Sequence, residues 1–197
     1  VKRVFYASSS EVYGESITYP QDEISTPLNS RLPYAVVKNI GEAFCTSYQQ
    51  EYGLDYTLFR FFNTYGPKQS TDFVVSKFLK AALANEDLTI HGDGLQSRTF
   101  CYVDDNVAAV LQTFNNQQYV NTVVNIGNDV EVNILQLAEI IIKVTNSQSK
   151  IVHFPALKEG DMQRRLPNLD RMRTLIERPL VTLENGIKKL IASGNFS

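Results

Sequence analysis

Tyr34 and Lys38 are the residues whose types and spacing in this sequence most directly suggest chemistry. Side chains four positions apart on an α-helix project from the same face. A lysine ammonium beside a phenol favours the phenolate, so the tyrosine could accept the proton of an alcohol at neutral pH. The alternative is an ordinary solvated helix face, because isolated matches to so short a pattern are often coincidental.

A polar run, Ser8-Ser9-Ser10-Glu11, directly follows the apolar residues 4–7. Such a short apolar run predicts a strand that is buried on both faces of a parallel sheet. Because ligands of open parallel sheets bind beyond the carboxyl ends of the strands, these hydroxyls and this carboxylate could hold a reacting alcohol. A serine-rich cap or turn would explain the segment equally well. The residues alone leave both interpretations open.

The composition of the 197 residues is that of an ordinary soluble globular protein, with 43% hydrophobic residues, 20% charged residues and a net charge of −2. No basic run stands out, so we expect no nucleic-acid partner. No apolar run is long enough to span a bilayer, so we expect no membrane partner either. Cys45 and Cys101 lack metal-site and disulfide spacing. We interpret both as small core residues of a cytoplasmic protein and predict no bound metal.

The elements that must position these residues follow from periodicity and end signals. Apolar residues at helical spacing predict a helix over about 34–52, and Gly53 is a typical helix stop. A second buried strand is predicted over 56–62. Asp72 and Asn133 are expected to cap the helices that follow them. Strands and helices alternate along the chain, which predicts an α/β fold with parallel strands.

Five motifs occur in one order and at one spacing that are typical of a known family. They are Ser-Ser-Ser-Glu-Val-Tyr-Gly at 8–14, Tyr-x-x-x-Lys at 34–38, Arg-x-x-Asn-x-Tyr-Gly-Pro at 60–67, Gly-Asp-Gly at 92–94 and Arg-x-Phe-x-Tyr-Val-Asp-Asp at 98–105. With them, essentially the whole chain resembles the extended short-chain dehydrogenase/reductases, the NAD-dependent epimerase/dehydratase family, which modify nucleotide sugars.

The resemblance implies a fold and a division into two units. The expected fold is a partial Rossmann-type parallel sheet, its second half, with a smaller α/β substrate-binding lobe. Residues 1–67 and 99–127 would form the second half of the NAD-binding Rossmann domain. Residues 68–98 and 128–197 would form the lobe that binds the nucleotide sugar, for which a UDP-sugar is expected.

Within the family the chain is most similar to the UDP-glucuronate decarboxylases. The motif that begins at Arg98 and the loop Gln163-Arg164-Arg165-Leu-Pro-Asn168 carry this similarity. The family's dehydratases place Asp where this chain has Ser10, and plain 4-epimerases usually lack the carboxylate of Glu11. Many epimerases of mixed substrate carry the same Ser-Ser-Glu. A 4-epimerase, a 4,6-dehydratase and a non-catalytic remnant that binds nucleotide sugar therefore stay as alternatives.

The resemblance also implies catalytic roles. Tyr34 would take the C4 hydroxyl proton, Lys38 would hold the nicotinamide ribose, and Ser9 would hydrogen-bond the O4 atom. Oxidation at C4 by NAD gives a 4-keto sugar, which loses its C5 carboxylate as CO2 and is then reduced to UDP-xylose. Three residues match positions that assist decarboxylation and reprotonation at C5, namely Ser10, Glu11 and Arg165.

Further residues match binding positions of the family. Ser8 and Phe61 would join Tyr34 and Lys38 in binding the cofactor. The substrate would be bound by Asn63 and Arg98 at the diphosphate, by Ile90 and His91 at the uracil, and by Arg165. His91 could equally be a surface strand residue. Glu11 and Arg165 could likewise be ordinary exposed charges.

One departure from the family pattern concerns the cofactor. The family's glycine-rich phosphate loop is expected before Val1 and is not found in this sequence. We therefore expect an incomplete NAD site and poor NAD binding by this chain alone, as for a fragment of a longer enzyme. The family dimerises through the helix that carries the Tyr-x-x-x-Lys motif, so we expect a homodimer of the full-length enzyme.

Overall fold

The computed structural model describes residues 1–156 and 162–194 of the chain. Residues 157–161 and 195–197, which the predicted sugar-binding unit includes, lie outside the described part. The strands are β1 (Arg3–Ser9), β2 (Asp55–Phe61), β3 (Thr64–Tyr65), β4 (Leu88–His91), β5 (Ser97–Thr99), β6 (Cys101–Tyr102), β7 (Thr122–Ile126), β8 (Glu131–Asn133) and β9 (Ile151–Phe154). The helices are α1 (Pro33–Tyr52), α2 (Val74–Leu83), α3 (Val103–Asn115), α4 (Ile134–Thr145), α5 (Asp170–Arg173) and α6 (Leu183–Ala192), and a 3₁₀ turn covers Ser10–Tyr13.

A parallel sheet with the strand order β1-β2-β7 carries the residues of interest. Helix α1 connects β1 to β2, so the two strands run in the same direction and end at the same edge. Their register places Ser8 beside Arg60 and Ser9 beside Phe61. Because β1 and β2 end side by side, the polar residues that follow each strand lie close together. The predicted α/β fold class with parallel strands is confirmed.

Two main apolar clusters hold the elements together, besides a small group of Val12, Tyr13 and Phe62. The larger lies among α2, α4, α6 and β4, and the smaller lies against β2 and β7. Leu169 and Met172, which flank and form α5, pack in the smaller cluster with Phe59 and Val124 of the main sheet. Both residues belong to the predicted sugar-binding unit, and the division of the chain into two units stays a prediction.

The helix ends agree with the sequence signals in two of three places. Gly53 ends α1 in the left-handed conformation, with φ of 67°. Asn133 caps α4 in a capping box, in which its side chain accepts from Gln136 N–H and the Gln136 side chain accepts from Asn133 N–H. The expected cap at Asp72 is wrong, because α2 begins one residue later, after Phe73. The Asp72 carboxylate instead accepts from the Ser70 hydroxyl at 2.8 Å.

Side chains cover backbone groups of β7 that the sheet leaves unpaired. The Asn125 backbone N–H donates to the Glu23 carboxylate at 2.8 Å, and the Arg171 guanidinium donates to the Val123 carbonyl. Burial raises the pKa of Glu23. These contacts protect an edge strand from pairing with another chain. Across residues 1–156 and 162–194, no helix combines the length and the apolar character that crossing a bilayer needs.

Candidate active site

A cavity of about 870 Å³ lies where β1 and β2 end and where α1 and α3 begin. Most of the site residues that the sequence predicts line its wall, namely Ser8, Ser9, Ser10, Glu11, Tyr34, Lys38, Phe61, Asn63 and Arg165. The carboxyl ends of parallel strands supply the serines, Phe61 and Asn63, and the first turns of α1 supply the tyrosine and the lysine. The topology therefore brings residues from distant parts of the chain to one wall.

Tyr34 and Lys38 lie on the first two turns of α1, which Pro33 begins at the first helical position. The Lys38 Nζ donates to the Ala7 carbonyl at 2.8 Å and lies 5.7 Å from the centroid of the Tyr34 ring. The Tyr34 side chain is 57% exposed. Lys38 is thus tied to the end of β1, and the phenol is presented to the cavity within reach of a ligand.

Ser9 and Ser10 form the turn between β1 and the cavity. The Ser9 hydroxyl accepts from the Glu11 backbone N–H at 3.2 Å and caps the 3₁₀ turn. The hydrogen of this hydroxyl remains available to donate to a bound oxygen. The Ser10 hydroxyl accepts from Arg165 Nη1 at 2.9 Å and also keeps its hydrogen.

Arg165 reaches the same turn from the far end of the chain. Its Nη2 atom lies 2.6 Å from Glu11 Oε1, and the two side chains are 7% and 27% exposed. Nearly buried guanidinium groups need a charged or hydrogen-bonding partner, which Glu11 and Ser10 supply. Met162 Sδ also accepts from Arg165 Nη2, at 2.8 Å. The structure thus brings together the three residues that the resemblance associates with C5.

A buried polar network behind this wall was missed in the sequence. Glu42 of α1 accepts two bonds from Arg60 of β2, at 3.0 Å and 2.7 Å, and a third from the Ser8 hydroxyl. Arg60 Nη1 donates to the Tyr13 hydroxyl at 2.9 Å, and this hydroxyl donates to Asn125 Oδ1 at 2.8 Å. The hydroxyl of Ser8 is therefore engaged with Glu42 at the edge of the cavity.

The environment of this network shifts the pKa of two of its members. Burial raises the pKa of Tyr13 to about 12, although Arg60 opposes the shift. Burial lowers the pKa of Arg60, but the bonds to Glu42 and Tyr13 outweigh this and raise it overall. Tyr13 therefore stays a neutral phenol and Arg60 stays a cation at neutral pH. The sequence signal that could have revealed the network is Glu42, four residues after Lys38 on the same helix face.

Three predicted substrate residues do not line the cavity. Ile90 is fully buried in the larger apolar cluster. His91, the next residue of β4, points away from that cluster, and its Nδ1 lies 3.2 Å from the Pro155 carbonyl. Arg98 donates to the Ser97 carbonyl at 2.8 Å. Their roles at the uracil and the diphosphate stay predictions, and a ligand would have to extend beyond the cavity to meet them.

Comparison with known protein families tests the resemblance seen in the five motifs. The model of the NAD dependent epimerase/dehydratase family matches residues 1–127, which is more than half of the chain. The chain belongs to this family. The resemblance inferred from the five motifs is thus confirmed. Among curated relatives, UDP-glucuronic acid decarboxylase 1 of Xenopus tropicalis is 36% identical over 196 residues, covering 96% of this chain and 46% of that protein.

Solved structures of epimerases have the same fold. The UDP-glucose 4-epimerase of Thermotoga maritima, solved with UDP-glucose, is 29% identical with a TM-score of 0.90, and the match covers 98% of this chain and 64% of that chain. The UDP-glucuronic acid 4-epimerase of Bacillus cereus, solved with UDP-glucuronic acid and NAD, is 26% identical with a TM-score of 0.87, covering 97% and 62%. The chain thus spans less than two thirds of the length of these proteins.

The residues at the cavity fit the cofactor for which this family is named. One of the three Lys38 N–H donors is used on Ala7, so two remain for the hydroxyls of a ribose. Apolar side chains of α3 form another part of the wall, with Val103, Val107 and Val110 among them, and could pack against a flat ring. The donor set and the apolar wall together suit the nicotinamide riboside end of NAD.

Proposed function

We propose that this chain carries the reacting end of an NAD-dependent enzyme that modifies a nucleotide sugar through a 4-keto intermediate. The best candidate reaction is decarboxylation of UDP-glucuronate to UDP-xylose. One observation carries this choice, namely that Arg165 contacts Ser10 and Glu11 at the cavity wall that also contains Tyr34. The 36% identity to a UDP-glucuronic acid decarboxylase supports the same choice.

In this proposal the first step is oxidation at C4, which removes the proton of the C4 hydroxyl and a hydride from C4. Bound NAD would supply a hydride acceptor for C4 and later return the hydride. Tyr34 acts as the general base that takes the proton of the C4 hydroxyl, with the Lys38 ammonium 5.7 Å from its ring centroid. The Ser9 hydroxyl donates to O4, which fixes the orientation of the sugar. Lys38 also binds the ribose hydroxyls with the donors that Ala7 leaves free.

The second step is loss of CO2 at C5. A 4-keto group makes the C5 carboxylate a β-keto acid, so the electron pair of the breaking bond is delocalised onto the O4 atom. Ser9 and protonated Tyr34 stabilise the enolate that results. The Ser10 hydroxyl accepts from Arg165 and keeps its own hydrogen, so it can pass that proton to C5 while it takes one from a water molecule, which leaves the hydroxyl neutral. The pairing of Arg165 with Glu11 holds this group in place.

A 4-epimerase is the second candidate, because two solved structures with TM-scores of 0.90 and 0.87 are 4-epimerases. Proton removal at C4 by Tyr34 and Lys38 serves that reaction equally. A 4,6-dehydratase is less well supported, since the acid expected beside Glu11 is replaced by the hydroxyl of Ser10.

Product analysis separates these candidates. The protein expressed from its complete reading frame is incubated with NAD and UDP-glucuronate, and the products are followed by NMR. UDP-xylose with CO2 supports the decarboxylase, and UDP-galacturonate without CO2 supports the epimerase. Saturable UDP binding with no turnover of any UDP-sugar would favour the non-catalytic remnant. Tyr34→Phe is the control, and it should slow any turnover that depends on this cavity by about a hundredfold or more.

We also propose that a second copy of this chain packs against α1. Apolar side chains occupy the exposed side of this helix, namely Val37, Ile40, Phe44, Tyr48 and Tyr52. Phe44 is 61% exposed, and the Tyr48 and Tyr52 rings lie 5.3 Å apart. So large an apolar face on one helix is typical of a helix–helix interface.

The cytoplasm is the compartment that we propose for this enzyme. Cys45 and Cys101 are both free thiols, and Cys101 is fully buried. Unpaired cysteines of this kind are usual in a reducing compartment.

A further inference from the structure

Glu42 is an unusual residue of α1. The helix buries few side chains, Ala35 and Glu42, and Glu42 is 5% exposed. Counted along the helix, Glu42 lies four residues after Lys38 and eight after Tyr34, so the three side chains project toward one side. A carboxylate is buried at a large energetic penalty unless it is paired and hydrogen-bonded. Glu42 therefore needs charged and hydrogen-bonding partners on the sheet against which α1 packs.

Those partners come from the two strands that end at the cavity. Arg60 donates to Glu42 through Nε at 3.0 Å and Nη2 at 2.7 Å, which is the two-point geometry of an arginine–carboxylate pair. The Ser8 hydroxyl donates to the same carboxylate. Ser8 and Arg60 are register neighbours on β1 and β2, so both side chains leave the sheet on the face that α1 covers. The carboxylate thus holds both strands at once.

The strand residues that contact Glu42 are direct neighbours in the chain of residues at the cavity. Ser8 is followed directly by Ser9 and preceded by Ala7, whose carbonyl accepts from Lys38. Arg60 lies next to Phe61 of the cavity wall. An apolar contact would allow α1 to slide along the sheet, whereas a two-point charged pair fixes both distance and direction. Apolar replacement of a buried pair commonly preserves stability, so stability alone does not account for its presence.

We propose that Glu42 and Arg60 are positioning residues, which fix the register of α1 on β1 and β2 and thereby hold Lys38 against Ala7 and Tyr34 at the cavity wall. The meaning of this register for catalysis rests on the function proposed above. The register itself is a property of the fold and can be measured without any substrate.

The test measures the reactivity of Lys38 in the protein expressed from its complete reading frame. Trace labelling with acetic anhydride, read by mass spectrometry, gives the rate at Lys38 relative to exposed Lys77 of the same molecule. The decisive variant is Glu42→Leu with Arg60→Met, which replaces the pair by apolar side chains of similar length. We expect a folded protein of lower thermal stability, because the buried hydroxyls of Ser8 and Tyr13 each lose a hydrogen-bond partner. Labelling at Lys38 should rise about two- to tenfold, the range expected for the loss of one hydrogen bond, here to Ala7.

The matched control is Glu131→Gln with Arg164→Met, which removes an ion pair that is distant in sequence from α1. It should leave labelling at Lys38 unchanged. The proposal is overturned when the apolar variant of Glu42 and Arg60 is folded and labels Lys38 at the parental rate. Should that variant not fold, Arg60→Lys decides by the same readout, since it keeps the charge and loses the two-point geometry.

Activity gives a second readout that is independent of the first. If the enzyme turns over a nucleotide sugar, Arg60→Lys should lower kcat and leave KM within experimental error, because Arg60 is buried and does not line the cavity. A rise in KM with unchanged kcat would contradict a positioning role. If the enzyme has no such turnover, the function proposed above fails, and the labelling result still decides the role of Glu42 and Arg60.

Discussion

Replacing Arg165 by Met is the perturbation that tests the charged cluster most sharply. The variant removes the partner of the Glu11 carboxylate and the donor to the Ser10 hydroxyl, while it keeps a side chain of similar length. Arg165 lies 155 positions from Ser10, so its loss also removes a link between a distant segment and the end of β1. Stability should therefore fall even though the residue lies at a cavity.

The expected loss of stability follows from how far Arg165 and Glu11 are exposed to solvent. Removing one member of a fully buried ion pair destabilises a protein by about 3–5 kcal/mol. Glu11 is 27% exposed and can regain water, so we expect a smaller loss of about 2 kcal/mol. For a chain of this length each kcal/mol corresponds to roughly 2–4 °C, which gives a fall in Tm of roughly 4–8 °C.

The neighbouring arginine supplies the control. Arg164 pairs with Glu131, but those side chains are 44% and 29% exposed, so Arg164→Met should lower stability by about 1 kcal/mol or less. Urea unfolding of both variants measures the difference. In a Glu11→Gln background, Arg165→Met should be at least ~1 kcal/mol less damaging, because no carboxylate is left unpaired. Losses of stability that agree within ~0.5 kcal/mol for the two arginine variants would show that burial of the ion pair does not set the cost of losing Arg165.

Three further predictions concern α1 and the ion pair of Glu131. Phe44→Glu should give a monomer by light scattering with unchanged helix content, whereas a dimer that survives would exclude the α1 interface. Gly41→Ala should destabilise by about 1–3 kcal/mol, because its Cβ would overlap the Tyr6 hydroxyl; in a helix without that contact the same change stabilises. Hydrogen bonds from Arg164 hold the pKa of Glu131 below its usual 4.5, so this contribution is present above pH 4.5 and is lost as pH falls through the lowered value. Urea midpoints of the parent and Glu131→Gln should converge in acid, and a constant gap would contradict this.

Local signals in the sequence predicted much of the framework. The buried run before Ser8 and the stop at Gly53 rest on interactions within a few residues, and the structure contains both elements. The capping box at Asn133 is of the same kind. The five motifs added the family, whose topology implies that the ends of β1 and β2 are neighbours. The polar residues at one cavity wall were predictable for this reason.

Contacts between residues distant in the sequence were much harder to predict. Glu42 looks like a surface charge in a helix with many polar residues, and Arg60 looks anomalous in a buried strand. Only the packing of α1 on the sheet brings the two charges together, and Ser8, the register neighbour of Arg60, donates to the same carboxylate. Asp72 was wrongly predicted to cap α2. Its carboxylate accepts from the Ser70 hydroxyl, and the helix begins only after Phe73. Such competition between short-range partners cannot be resolved from residue types alone.

In the proposed reaction Tyr34 takes the proton of the C4 hydroxyl while a hydride leaves C4. The direct measurement uses UDP-glucuronate that carries deuterium at C4 and a labelled carboxyl carbon, with NAD and the protein expressed from its complete reading frame. We predict labelled CO2 and UDP-xylose that retains the deuterium at C4, with Tyr34→Phe folded but slower by about a hundredfold or more. Loss of the deuterium to solvent, or turnover by Tyr34→Phe at the parental rate, would contradict the account.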